Sequence, residues 1–135
     1  MLEPRPAITD LVRVIARAER AASTGALDSP VAQSILTRLH RELGKLIGSA
    51  GFDVLFARSL VLARRAHPTI AEISAEPGGK LAGLDAGSAN ATGNEEGTLL
   101  IVAYFIELLA TLIGQDLALR LVRDLWTAEA REEKK

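Results

Sequence analysis

Cysteine is absent from the chain, and that one absence removes disulfide staples, thiolate catalysis and Cys-ligated zinc or iron–sulfur centres together. Stability has to come from packing. Histidine is scarce as well: the two residues, His40 and His67, stand in no regular spacing with carboxylates, so neither a metal site nor a cofactor is expected. Aromatic side chains make up 4% of the residues and are not interleaved with cations, which leaves no stacking platform for a nucleic acid. Charge of one sign is lacking too, because 16 basic side chains oppose 17 acidic ones for a net charge of -1. No global field draws the chain to nucleic acid or to an anionic membrane, and neither partner is expected.

Long hydrophobic runs are nearly missing. Leu99 to Ile113 is almost wholly apolar, but at about fifteen residues it falls short of the ~20 that a bilayer requires. It also carries Glu107, and it reads as a buried central helix. Met1 to Asp10 lacks a basic segment followed by an apolar run, so no secretory signal is expected and the location reads as cytoplasmic. Asn90-Ala91-Thr92 fits a glycosylation acceptor, which without export carries no meaning.

Apolar material itself is plentiful: 48% of the 135 residues are hydrophobic, enough for the core of one domain spanning residues 1–135. Its spacing is helical. Ile8, Leu11, Val12, Ile15, Ala18 and Ala22 fall on one face, with Asp10, Arg13, Arg17 and Arg20 opposite, which predicts a first helix over about 8–22. Thr24-Gly25 ends it. Asp28-Ser29-Pro30 starts the next, with Ser29 as cap and Pro30 at the first helical position.

That second helix, about 30–47, turns Ala32, Ile35, Leu36, Leu39, Leu43, Leu46 and Ile47 inward and leaves Arg38, Arg41, Glu42 and Lys45 wet. Arg38 and Glu42 are spaced to pair at i,i+4. Gly48 to Gly51 interrupts the pattern, and a third helix from about Phe52 ends in Arg64, Arg65 and His67, cations suited to a helix C-terminus ahead of Pro68. A short helical turn over 69–73 precedes a long irregular connection over 75–96, read as a crossover between the ends of a bundle. Glu95 and Glu96 are first-turn acids of a central helix over about 96–113. A last helix, about 115–130, ends in a charged tail, 131–135, expected to fray.

The fold predicted is therefore all-α, a compact bundle of about five helices. Leu46-Ile47-Gly48 returns as Leu112-Ile113-Gly114, each time at the end of one apolar helical run and before another. The echo reads either as two related helix–glycine–helix units or as an accidental likeness of Leu-rich helices.

Few residues offer chemistry. His40 lies at the edge of its helix's apolar arc, followed by Gly44, Lys45, Gly48 and Ser49. The segment 39–51 resembles the phosphoacceptor region of histidine phosphotransfer domains, in which a lysine about one turn after the histidine steadies the phosphoryl charge and small residues admit a receiver domain. The resemblance implies His40 as phosphoacceptor and Lys45 as its charge partner. Here, however, Gly44 precedes Lys45, the reverse of the usual order, which rotates the cation by about 100° around the helix. An ordinary boundary histidine is the preferred reading.

Glu107, with Tyr104 and Thr111 one turn away on either side, forms a polar stripe on the central helix. It reads as structural, or as the polar fixer of a small apolar ligand held between helices. Gly79-Lys80 lacks the first glycine and the Ser or Thr of a phosphate loop, and 85–96 lacks the alternating oxygen ligands of a calcium loop. No nucleophile and base can be placed together by spacing, so no catalytic residue is named and enzymatic turnover ranks last.

What remains is surplus apolar helix surface, especially 99–113 and the face carrying Leu119, Val122 and Trp126. It predicts a regulatory or interaction module that acts by contact, with a homodimer or another protein covering that surface.

Overall fold

A computed structural model describes residues 5–22, 31–70, 73–82 and 91–133. Among these residues the chain is mostly helical, with four α-helices: α1 (Pro6–Ala22), α2 (Val31–Ala66), α3 (Ala91–Ile113) and α4 (Gln115–Glu133). Between α2 and α3 stand a 3₁₀ turn, Pro68–Ile70, and two short strands, β1 (Ser74–Glu76) and β2 (Lys80–Ala82). The predicted Thr24-Gly25 stop, the Asp28-Ser29-Pro30 start and the last residues of the charged tail lie outside the described residues, as does Asn90 of the glycosylation sequence.

The break predicted over 48–51 is present but narrower: α2 is two helical arms, and the chain leaves the helix between them at a single residue. Gly48 has φ 80° and ψ 155° inside α2, a conformation closed to most L-residues, while Ser49 to Gly51 continue as helix. The consequence is large. His40 and Phe52 would lie about 18 Å apart along a straight helix, yet their ring centroids are 4.9 Å apart. The arms 31–47 and 49–66 therefore fold back on one another. By length and composition α2 is also the one described helix apolar enough to cross a membrane, and Gly97–Ile113 is a shorter apolar stretch. The reversal at Gly48 divides α2 into two arms, neither reaching the ~20 residues of a straight span.

The second half of the echoed tripeptide behaves alike. Gly114, between α3 and α4, has φ 98°, and its N–H closes the preceding turn by bonding Ala110 O at 2.8 Å, a left-handed helix terminus. Leu46 and Leu112 stand 65% and 66% exposed, so the two tripeptides share side-chain placement as well as backbone hand. Phe52 packs on Phe105, while Ile70 and His67 abut Gly97; the second arm of α2 thus runs antiparallel to α3. Both glycine turns consequently sit at one end of the bundle.

Ala18 and Leu46, expected to turn inward, are exposed, and otherwise the core is assembled from the inward faces that the periodicity marks: Ile8, Leu11, Val12 and Ile15 from α1, Ile35, Leu36, Leu39 and Leu43 from the first arm of α2, and Ile101 to Ile106 from α3. All three phenylalanines of the chain join it. Phe52 lies 6.0 Å from Phe56 and 4.7 Å from Phe105, centroid to centroid, tilted contacts that add to the gain from burial. Gly97 marks the tightest helix approach, since a Cβ there would meet Ile70 Cγ2 at 2.4 Å. Gly97→Ala should consequently cost about 1–3 kcal/mol by overpacking, although alanine is the better helix former. A urea midpoint lowered at unchanged slope is the expected record.

Part of the long connection predicted over 75–96 proves to be a hairpin, and from Ala91 it is already α3, so Glu95 and Glu96 stand beyond that helix's first turn. Pairs Ser74 with Ala82, Ala75 with Leu81 and Glu76 with Lys80 close antiparallel around Pro77-Gly78-Gly79. The amide of Gln33 clamps it from α2, Nε2 donating to Gly79 O at 2.9 Å and Oε1 accepting from Leu81 N–H at 2.7 Å. Asp53 Oδ1 accepts the Gly78 N–H at 3.3 Å. Beneath these bonds Gly79 lies so close to Leu36 O that a Cβ would stand 2.9 Å from it. Arg64 Nε donates to Ile73 O at 3.1 Å and fixes the approach to β1. A two-stranded ribbon this short has no stability of its own; the two arms of α2 hold it.

Candidate functional site

The polar side chains that the sequence singles out are distributed by the fold into separate places. His40 sits half-buried on the first arm of α2, its ring edge-on to Phe52 with an interplanar angle of 89°, and its Cβ lies beneath Gly79 of the hairpin. Lys45, one turn on, is exposed and reaches Glu42 at 3.5 Å. Glu42 also accepts from Arg41 Nε at 3.2 Å, and that bond chiefly holds its carboxyl below the usual carboxylate range, Lys45 adding to the effect and desolvation opposing it. The cation proposed as partner of His40 is thus engaged by a carboxylate.

Arg38 is placed differently from its expected i,i+4 pairing with Glu42. It turns inward to Glu19 of α1, with Nη2 3.3 Å from Oε1, while Arg41 and Lys45 attend Glu42 at the surface. The same Glu19 oxygen accepts from the indole Nε1 of Trp126 at 3.0 Å, and the Arg38 guanidinium lies 5.2 Å from the indole centroid. Three helices, α1, α2 and α4, meet in this cluster. Each member answers a need of the others: a buried indole N–H wants an acceptor, a buried carboxylate wants a cation, and a guanidinium stacks well on an indole face.

This cluster also relocates the predicted interface. Trp126 and Val122 are buried within the chain and Leu119 is partly buried, so the α4 face on which a partner was expected is covered by the protein's own α1 and α3. Among the described residues the large apolar side chains that stand exposed are others: Val14, Leu46, Val54, Val61, Leu112 and Leu117.

Glu107 is buried to 1% exposure, and its surroundings account for it. Oε1 accepts the backbone N–H of Arg5 at 3.0 Å, Oε2 lies 3.5 Å from Arg5 Nε, and Arg5 O begins the α1 hydrogen-bond ladder by accepting from Ile8 and Thr9 N–H. Arg5 also donates through Nη1 to Gln115 Oε1. Glu107 therefore caps α1 from α3, a carboxylate at the positive end of the helix dipole just ahead of Pro6, which has no N–H of its own to satisfy. Tyr104 is buried one turn away, whereas Thr111 is exposed and spends its hydroxyl on Glu107 O at 3.0 Å. The Thr111 hydroxyl and the Glu107 carboxylate are thus spent on different groups, the first on the α3 backbone and the second on Arg5. Glu107→Gln, which keeps an acceptor for Arg5 N–H and removes the charge, should cost about 1 kcal/mol, read as a lowered urea midpoint with the helical signal intact.

No buried side-chain nitrogen or oxygen among the described residues lacks a hydrogen-bond partner, and no three of their His, Asp or Glu side chains come together as a metal cluster. Glu19 and Arg5 were not singled out from the sequence. Their signal is faint: an acid at the margin of an arginine-rich helix face, and a residue ahead of Pro6 at a helix start.

Comparison with known proteins finds no match: no family model, no curated protein and no solved structure is similar to the chain.

Proposed function

We propose that the protein is a non-catalytic helical module that acts by contact, as a regulatory or protein–protein interaction element of the cytoplasm, and that it associates with itself. One observation carries this reading: the buried carboxylates Glu19 and Glu107 are engaged in ties between helices, while among the described residues Val54 and Val61 stand exposed one above the other on a single face of the second arm of α2. Exposed apolar surface of that kind is what binding partners cover. Phosphotransfer at His40 and retention of a small apolar ligand by Tyr104 and Glu107 are the competing readings, and each would leave added mass on the chain.

A native mass spectrum of gently purified protein separates them. The expected result is a species at twice the 14.4 kDa chain mass with nothing added. A monomer carrying a phosphoryl group or a small molecule overturns the proposal in favour of His40 or Glu107.

A further inference from the structure

We infer that two copies of the chain associate side by side and parallel through the second arm of α2, with Val54 and Val61 at the seam and Asp53 of each copy opposite Arg58 of the other. The inference rests on the self-association proposed above and names its surface. Ala50, Val54, Ala57 and Val61 are all exposed, Val54 at 68% and Val61 at 44%. Their spacing of four, three and four residues is the a/d repeat of a two-helix seam. The opposite side of the arm is occupied by the core residues Phe52, Phe56, Leu60 and Ala63, so the seam faces away from the bundle.

Charge selects the occupant and its direction. Asp53 lies on one edge of the seam and Arg58 on the other, five residues apart, the g-to-e′ spacing of parallel helices. A two-fold axis along the seam therefore sets Asp53 against Arg58 twice. Antiparallel pairing sets each edge against its own copy, bringing Arg58 towards Arg58 and Asp53 towards Asp53. Among the described residues Arg58 makes no ion pair, and Asp53 uses Oδ1 for Gly78 N–H, which leaves Oδ2 for a partner. An arm of about 27 Å gives a contact at the small end of specific interfaces, so the association is reversible and concentration-dependent.

The test combines sedimentation with cross-linking, which the lack of cysteine makes clean. Wild type should pass from monomer to dimer as concentration rises. Val54→Glu with Val61→Glu, at exposed positions that leave the fold intact by circular dichroism, should stay monomeric throughout. Val54→Cys and Val61→Cys should each form a disulfide-linked dimer on oxidation, because parallel pairing brings both positions against their own copies within the ~7 Å that a disulfide spans. Arg58→Asp should weaken dimerisation about tenfold at low salt and much less at 1 M salt. If wild type dimerises and the double glutamate variant still does, this face is wrong and self-association survives. Cross-linking at only one of the two cysteine positions, or at neither, overturns the parallel pairing. A wild type that stays monomeric at every concentration removes both readings.

Discussion

Glu19→Ala is expected to lower the stability of the fold by about 3 kcal/mol. The carboxylate is the common acceptor of Arg38 and Trp126, so its removal takes an anion from a largely buried guanidinium and leaves a buried indole N–H without its acceptor, a loss that is costly where water cannot replace it. Part of the loss is relieved because Arg38 keeps a little contact with solvent. Trp126 is the chain's single tryptophan, so its emission reports the loss of the hydrogen bond directly, while circular dichroism in urea gives the free energy. Glu19→Gln, which keeps an acceptor for the indole, should lose distinctly less. Replacing Glu19 and Arg38 together by apolar residues of similar volume should recover much of the deficit, since both charges are then gone. A double-mutant cycle with no coupling between the two positions would show that the cluster does not act as one unit.

Phe52→Ala is expected to cost about 3–5 kcal/mol, a large share of the roughly 5–15 kcal/mol that holds a domain of ordinary stability together. Phe52 is wholly buried where the second arm of α2, the first arm and α3 meet, touching His40, Phe56 and Phe105. Its ring also supports the hairpin, for Gly79 lies over it. The void therefore opens at the point from which the reversal at Gly48 is held closed. Phe52→Leu retains most of the volume and should lose far less. Equal losses for the two substitutions would mean that the aromatic contacts, rather than the filled space, carry the stability.

The long, strongly periodic segments were legible. The predicted first helix, about 8–22, and last, about 115–130, differ from α1 and α4 by a few residues at the ends, because an amphipathic stripe fixes the presence of a helix better than its limits. The glycine-rich break over 48–51 was visible as composition, but composition does not say how many residues leave the helix; only Gly48 does. The hairpin was missed since three-residue strands are too short to display a period of two, although Pro77-Gly78-Gly79 is a turn signal in its own right. The polar sites were the least legible. Arg38 carries an obvious local partner in Glu42, and nothing in the spacing reveals that Glu19, on another helix, is the better one. Trp126 likewise reads as surplus surface until the fold supplies a carboxylate for its N–H. Glu107 was visible as an acid among apolar residues, but its acceptor role at α1 depends on a contact across 102 positions of sequence.

Contact between copies of the chain is tested most directly by sedimentation equilibrium over a hundredfold concentration range. A reversible monomer–dimer equilibrium is expected, with the apparent mass rising from 14.4 kDa towards twice that value. A mass that stays at the monomer across the whole range would contradict it.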